Sequence, residues 1–202
     1  MVKSTLKPFF LLSAFGLAAL AIVTIVVGGS FPLSTWLLDH HMPLMESFWQ
    51  WVTLLGDGLI AIPVILLSLW RYQGKAAMAD VRMWSGFALA AMLPQLIKAL
   101  LASMQRPWAV MEGLPDIAGL TTAMARTFPS GHTAIAFFMC GMLAFHWGRR
   151  PYTQWLLACL AMLIGLSRMT LFMHWSWDVV AGGLLALLAL RVSVGHQKSL
   201  IL

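Results

Sequence analysis

Residues 129–148 read PSGHTAIAFFMCGMLAFHWG, a Pro-Ser entrance followed by an almost uninterrupted apolar run. Pro and Ser are typical of the first positions of a helix, and Ser130 is the predicted N-cap. The run that follows is long and apolar enough to favour a helix that crosses a bilayer. The stretch therefore predicts a membrane-embedded helix that carries His132 near its start.

The rest of the chain is as apolar as this stretch. Of its 202 residues, 60% are hydrophobic and only 10% are charged, whereas a soluble domain has about 25% charged residues. Ten tryptophans fit the same interpretation, because Trp collects at bilayer interfaces. The net charge is +6, but the basic residues come singly or in pairs at the ends of apolar runs. Without a basic face or tail, the composition excludes a nucleic-acid partner and predicts an integral membrane protein.

Six segments are long and apolar enough to span a membrane, which takes about 20 residues each. They are residues 8–28, 51–70, 83–103, 131–148, 154–173 and 175–194. The first is longer than the apolar part of a secretory signal, which has about 7–15 residues, so we expect it to be retained. Pro63 and Pro94 predict kinks in the second and third spans. The predicted fold is all-α: a polytopic membrane protein with six transmembrane helices in one bundle and a single domain over residues 1–202.

The positive-inside rule predicts the orientation of these spans. If the amino terminus is cytoplasmic, both termini and nine of the thirteen Lys and Arg residues are cytoplasmic. These nine are Lys3, Lys7, Arg71, Lys75, Arg82, Arg149, Arg150, Arg191 and Lys198. The remaining four are Lys98, Arg106, Arg126 and Arg168, and all of them fall at or near the opposite face. We therefore expect a functional site on the periplasmic or extracellular side of a cell membrane.

Three of these cations, Lys98, Arg106 and Arg168, are predicted to converge at the ends of their spans. They would repel one another unless an anion lay between them, and phosphate is the anion that such groups prefer. A helix that starts at Gly131 adds free backbone N–H groups and the positive end of a helix dipole. Gly131 also permits close approach to the backbone, because it has no side chain. The pattern predicts a phosphate site with His132 within reach.

His174 and Asp178 are four residues apart at the start of the last span, so they are predicted to share one helical face. A carboxylate one turn from a histidine can hold the imidazole in one tautomer and stabilise its charged form. The other ring nitrogen is then free to attack phosphorus, which would give a phosphohistidine intermediate. His132 is suited to protonate the departing oxygen and later to activate water.

These residues resemble the three-part signature of the type 2 phosphatidic acid phosphatase superfamily, which is also similar to vanadium haloperoxidases and glucose-6-phosphatase. The family pattern is Lys, six residues, Arg-Pro; then Pro-Ser-Gly-His; then Ser-Arg, five residues, His, three residues, Asp. The second and third parts match here without a change. The resemblance implies a catalytic set of His174 as nucleophile, Asp178 as its partner and His132 as general acid, with no metal or other cofactor. The phosphate-binding residues that it implies are Lys98, Arg106, Ser130, Gly131 and Arg168.

The first part of the signature departs from the family pattern. Seven residues separate Lys98 from Arg106 instead of six. One extra residue turns a helical side chain by about 100°, so the reach of Lys98 to the phosphate depends on slack in the following loop. Arg126 lies outside the signature, four residues before Ser130. It is either a contact for a second phosphate or an ordinary loop cation.

The segment 31–51 is rich in Trp, Phe and Met and predicts an interfacial stretch, as an anchor or as a flank for a lipid tail. Its adjacent His40 and His41 do not share a face and do not predict a metal site. The loop 108–125 contains Glu112 and Asp116 and could discriminate between headgroups.

A site at the membrane boundary predicts a substrate with a buried tail and a phosphorylated head. The resemblance to compact bacterial members suggests an inner-membrane enzyme and undecaprenyl pyrophosphate, with phosphatidylglycerophosphate, phosphatidic acid and lipid A phosphates as alternatives. Two other activities remain open: a phosphotransferase that passes phosphate to a lipid, and a non-enzymatic lipid-binding or transport protein.

Overall fold

The computed structural model describes residues 6–73, 81–115, 125–148 and 150–194. Its helices are α1 (Lys7–Val26), α2 (Ser30–Asp39), α3 (Glu46–Leu54), α4 (Gly58–Gln73), α5 (Val81–Leu100), α6 (Pro107–Val110), α7 (Gly131–Trp147), α8 (Pro151–Thr170) and α9 (Ser176–Val194). A short 3₁₀ turn, Pro43–Met45, precedes α3. Within the described ranges there is no strand, only one isolated bridge between Gln105 and Ala125. The predicted all-α class is confirmed.

Four of the described helices are long and apolar enough to cross a membrane: α1, α5, α8 and α9. A fifth crossing is possible if 43–54 and 58–68, which meet at a bend of 46°, act as one broken span. The predicted fourth span, α7, has 17 residues, which is short for a bilayer. Six spans therefore stay a prediction, whereas a helical membrane protein is what the structure shows.

The predicted span 51–70 is not one continuous helix. The chain leaves helical geometry after Leu54 and starts α4 at Gly58, so the predicted span is divided by residues 55–57. A Gly-Asp-Gly sequence at 56–58 explains the break, since glycine weakens a helix and Asp favours its first positions. The break places residues 53–58 beside α7 and α8 instead of within one straight span.

Helix α7 lies at the centre of the packing. It contacts α4, α5, α8 and α9, and twelve of its seventeen residues are buried. Phe137, Phe138 and Met142 are its largest core side chains, and they pack with Leu190 of α9 and Leu17 of α1. A helix that is apolar on all sides and surrounded by other helices forms the core of the bundle.

Helix ends gather at two opposite ends of the molecule. At one end, the hydroxyl oxygens of Ser30, at the start of α2, and Ser176, at the start of α9, lie 2.7 Å apart. At the other end, the N–H of Phe9 in α1 donates to the side chain of Gln154 in α8 at 3.3 Å. The end of the molecule that contains Ser30 therefore also contains the ends of α5 and α8 and the starts of α4, α7 and α9. It lies away from the start of α1.

The aromatic segment 31–51 forms α2, the 3₁₀ turn and the start of α3 on that same side. Trp36, Phe48 and Trp51 are exposed. This is the arrangement expected of an interfacial stretch. Residues 116–124 of the predicted headgroup loop, and Lys3, Lys75, Arg149 and Lys198 of the orientation argument, lie outside the described residues.

Candidate active site

A cavity of about 280 Å³ lies at the end where these helices meet. Its lining contains Lys98, Arg106, Gly131, His132, Arg168 and His174, which all belong to the predicted site, together with Gly56, Gly58, Gln95 and Ile135. Four helices (α4, α5, α7 and α8), the break before α4, the loop after α5 and the turn after α8 contribute to it. Six residues that span 77 positions of the sequence thus reach one small space.

The cavity brings three cations together. Among the described residues, none of Lys98, Arg106 and Arg168 forms an ion pair. The pKa of Arg106 is lowered because the side chain is partly buried. Like charges held close together in a partly dehydrated space favour an anion with several oxygens between them.

Arg168 is the most buried of the three, with 4% of its surface exposed. It lies in the last turn of α8, and its Nη1 donates to Oγ1 of Thr53 in α3 at 2.8 Å. Its buried Nε has no acceptor within the described part of the chain. Thr53 therefore fixes one edge of the guanidinium and leaves a donor for a ligand.

Lys98 does reach the start of α7 despite the extra residue before Arg106. A side chain added at Gly131 would place its Cβ 3.7 Å from Lys98 Nζ and 3.2 Å from Gln95 Nε2. The helix α5 ends at Leu100, and turns at 101–103 take up the additional residue. The ammonium thus faces the backbone of Gly131 across the space where phosphate is predicted.

Helix α7 begins as the sequence predicted. It starts at Gly131, and Oγ of Ser130 accepts from the N–H of Thr133 at 3.4 Å and from its hydroxyl at 2.8 Å. Ser130 is fully buried and does not line the cavity. Its hydroxyl caps the helix, so any contact with phosphate would come from the backbone of this turn.

Two side chains, those of Asp178 and Thr127, contact Nδ1 of His174. Its Nδ1 lies 3.1 Å from Oδ2 of Asp178 and 3.2 Å from Oγ1 of Thr127, while Thr127 itself donates to the same carboxylate oxygen. The N–H of Trp175 also donates to this oxygen at 2.9 Å. With Nδ1 engaged, Nε2 is the ring nitrogen left for the cavity.

The contact between His174 and Asp178 is as predicted, but its geometry is not that of two residues on one helix. His174 lies in the turn between α8 and α9, and only Asp178 is helical, in the first turn of α9. Asp178 bonds back to the N–H of Trp175, which is how an acidic residue in a first turn stabilises a helix start. The same carboxylate then orients the histidine.

Burial lowers the pKa of His174 well below its ordinary value, and the nearby Arg168, Lys98 and Arg106 add to the effect. The imidazole is therefore neutral at physiological pH, which is the state that the predicted nucleophile requires. The cations that favour phosphate thus also keep the histidine unprotonated.

Two further predicted residues lie outside the lining. Asp178 is buried behind His174, which is consistent with the role of a partner. Arg126 is exposed, has a left-handed backbone with φ of 62°, and does not line the cavity. The structure does not bring Arg126 to the other cations, and its contact with a second phosphate stays a prediction.

Sequence reasoning missed three polar residues of this region: Thr53, Asp57 and Thr127. Asp57 carried a readable signal, because an ionisable residue between glycines inside an apolar segment is costly and indicates function. Oδ2 of Asp57 lies 3.6 Å from Nε2 of His132. The two threonines carried none, since a single threonine is unremarkable in any sequence.

Membrane-length helices around a pocket with three cations, a helix entrance and two histidines are typical of an integral membrane phosphatase. The chain belongs to the PAP2 superfamily, whose family model matches residues 81–199. The match contains all the signature residues from Lys98 to Asp178.

Two curated relatives are similar in sequence. Phosphatidylglycerophosphatase B of Bacillus subtilis is 26% identical over 168 residues, which cover 79% of each chain. The bacitracin transport permease protein BcrC of Bacillus licheniformis is 31% identical over 102 residues, only about half the length of that relative (49%) and 50% of this chain.

Two solved structures share the fold. LpxE of Aquifex aeolicus has a TM-score of 0.69 at 23% identity, covering 82% of this chain and 94% of that one. A transmembrane PAP2-type phosphatidylglycerolphosphate phosphatase of Bacillus subtilis has a TM-score of 0.65 at 22% identity, covering 96% of both. At this identity the likeness concerns the fold.

Proposed function

We propose that this protein hydrolyses a phosphorylated membrane lipid on the extracytoplasmic face, through a phosphohistidine at His174. The observation that carries the proposal is the setting of His174. Its Nδ1 is held by Asp178 and Thr127, and its other nitrogen is left for a cavity lined by three cations. A binding protein would use the cations and amides but has no use for an oriented, neutral histidine.

In the first step, Nε2 of His174 bonds to phosphorus while the bond from phosphorus to the ester oxygen breaks. Lys98, Arg106 and Arg168 stabilise the charge on the phosphoryl oxygens, with backbone N–H groups at the start of α7. Asp178 stabilises the positive charge that develops on the His174 ring. His132 gives its proton to the departing oxygen.

In the second step, water replaces the lipid. His132, now neutral, accepts a proton from water as its oxygen bonds to phosphorus, and the bond between nitrogen and phosphorus breaks. Inorganic phosphate leaves, and His174 is again neutral. No residue of this scheme needs a metal, so we expect activity in the presence of EDTA. A lipid hydroxyl in place of water would make the protein a phosphotransferase.

Undecaprenyl pyrophosphate is the proposed substrate, as the resemblance to compact bacterial members suggests. A cavity of about 280 Å³ has room for a phosphate headgroup, and the exposed aromatic residues of α2 and α3 at the same end could flank the tail. The product would be the lipid monophosphate and inorganic phosphate.

Phosphatidylglycerophosphate is the second candidate substrate. The observation that favours it is the curated relative named for this activity, whose match covers 79% of both chains. The phosphate chemistry is the same for both lipids, so only the headgroup and tail distinguish them.

The test is release of phosphate by purified protein in detergent with EDTA. The panel is undecaprenyl pyrophosphate, phosphatidylglycerophosphate, phosphatidic acid and lipid A, each with wild type and His174→Ala. We expect release from one lipid, lost in the variant, and an acid-labile phosphoenzyme in wild type alone. Undiminished release by His174→Ala contradicts the mechanism. Release only after addition of an acceptor lipid would show the phosphotransferase.

A further inference from the structure

Asp57 is a carboxylate of the cavity region that the family signature does not contain. It is the last residue of the break between α3 and α4, directly before Gly58. Its Oδ1 accepts from the N–H of Leu59 at 2.8 Å, and its carbonyl accepts from Ile60 and Ala61 at 3.1 and 2.8 Å. These bonds fix Asp57 as the N-cap of α4.

The second carboxylate oxygen is directed at His132. Oδ2 of Asp57 lies 3.6 Å from Nε2 of His132, and the two side chains are 37% and 33% exposed. This distance is that of an ion pair and is slightly longer than a hydrogen bond. Hydrogen bonds of catalytic groups are often long without substrate and shorten when it binds.

Burial of the His132 ring opposes a positive charge on it, and the cavity cations Arg168 and Lys98 add to this effect. Asp57 favours the positive charge. A general acid must be protonated before the ester bond breaks, which is difficult beside an arginine and a lysine. Asp57 offsets part of this opposition and therefore helps His132 to carry a proton.

We propose that Asp57 is a positioning residue that orients His132 and stabilises its protonated form, and the inference rests on the proposed function of His132. Asp57 holds the proton on one ring nitrogen. The other ring nitrogen gives its proton to the departing oxygen and takes one back from water. Asp57 thus acts through His132 and does not touch the phosphate.

The break between α3 and α4 positions two residues that act in the proposed mechanism. Thr53, just before the break, holds Arg168, and Asp57, the last residue of the break, faces His132. An added Cβ at Gly56, between them, would lie 3.1 Å from the carbonyl oxygen of His132 and 2.7 Å from Ile164. The break therefore packs directly against the start of α7.

Two substrates whose leaving groups differ in their need for a proton can distinguish this role of Asp57 from a purely structural one. Exchange of labelled oxygen between inorganic phosphate and water has water as its leaving group, which needs a proton. p-Nitrophenyl phosphate has a leaving group that departs without one. Both probes are soluble, so neither depends on which lipid is the natural substrate.

For Asp57→Asn, which retains the N-cap, we expect exchange to fall by about 10- to 100-fold, part of the usual contribution of a general acid. The kcat/KM for p-nitrophenyl phosphate should change by less than about threefold. This constant includes only the steps up to the departure of nitrophenolate, which needs no proton. Asp57→Asn in a His132→Ala background should cause no further loss, since the two residues act as one unit.

Equal losses with both probes, or an additional loss in the His132→Ala background, would overturn the inference. Asp57→Ser also retains a good N-cap, but its side chain is too short to reach His132. A similar loss of exchange in this variant shows that the loss comes from the missing carboxylate and not from a missing cap. If wild type shows neither exchange nor a phosphoenzyme, the proposed function itself is wrong. If wild type is active and depends on His132 while Asp57→Asn is unaffected, only the role of Asp57 is wrong.

Discussion

Thr127 shows what a single residue contributes at this site. It is 1% exposed, and its hydroxyl contacts both the carboxylate of Asp178 and Nδ1 of His174. The sequence predicted the other two members, because their spacing and chemistry are specific. Thr127 lies 47 positions before His174, so only the folded chain reveals the contact.

Replacing Thr127 by Val removes the hydroxyl and conserves most of the volume. A hydrogen bond to a charged group is worth about 1.5–3 kcal/mol, so kcat for the substrate identified in the panel is expected to fall about 10- to 100-fold with little change in KM. Thr24→Val is the matched control, a buried threonine of α1 that bonds its own helix. Equal activity of the two variants would show that Thr127 does not support the nucleophile.

We expect the cations of the cavity to affect the pH range of activity as well. Arg106 is one of the charges that lower the pKa of His174, after burial. Arg106→Gln should therefore raise this pKa and move the acid limb of the kcat/KM profile to higher pH. The comparison uses one substrate for both proteins, so that ionisation of the substrate cancels. Arg150→Gln, an exposed cation at the start of α8, should leave the limb where it is.

At the scale of helices, the phosphate site depends on the close approach of α9 to the start of α7. The N–H of Ser130 donates to the carbonyl of Asp178 at 3.0 Å, so the two signature segments bond directly through their backbones. Gly182 permits this contact, because a Cβ there would lie 2.4 Å from the carbonyl oxygen of Ser130. The sequence predicted both helices but could not predict that their backbones meet.

Gly182→Ala should displace the start of α7 and lower kcat on the order of a hundredfold, since misplacement by about 1 Å can cost that much. Gly183→Ala is the control, with the same gain in helix propensity. Its Cβ would meet the side-chain end of Leu17 at 2.7 Å, and that side chain can move. Thermal unfolding of both variants in detergent separates loss of activity from loss of fold. Similar kcat values for the two would contradict the argument.

At the scale of the whole molecule, the site lies at the end opposite the start of α1. If the charge distribution sets the orientation as predicted, residues beside the site face the outside of the cell. Glu112→Cys should then react with a membrane-impermeant maleimide in intact cells, whereas Arg150→Cys should react only after permeabilisation. Both positions are exposed.

The labelling needs a background in which Cys140 and Cys159 are replaced by Ala, since Cys159 is exposed. Phosphate release by each labelled variant before modification confirms that it is folded. The reverse labelling pattern would place the site in the cytoplasm and exclude a role in recycling an outward-facing lipid carrier.

The sequence by itself determined the membrane character and the position of most helices, and it predicted the roles of His132, His174, Asp178 and the cations. These are local properties: apolar length, helix-start residues, and spacings within one turn. Only the tertiary structure decided the break at residues 55–57, the central position of the short α7, the capping role of Ser130 and the distance of Arg126 from the cavity. It alone brought Thr53, Asp57 and Thr127 to the site. The reason is physical, because contacts between residues far apart in the chain depend on how helices pack, and packing is set by many side chains together.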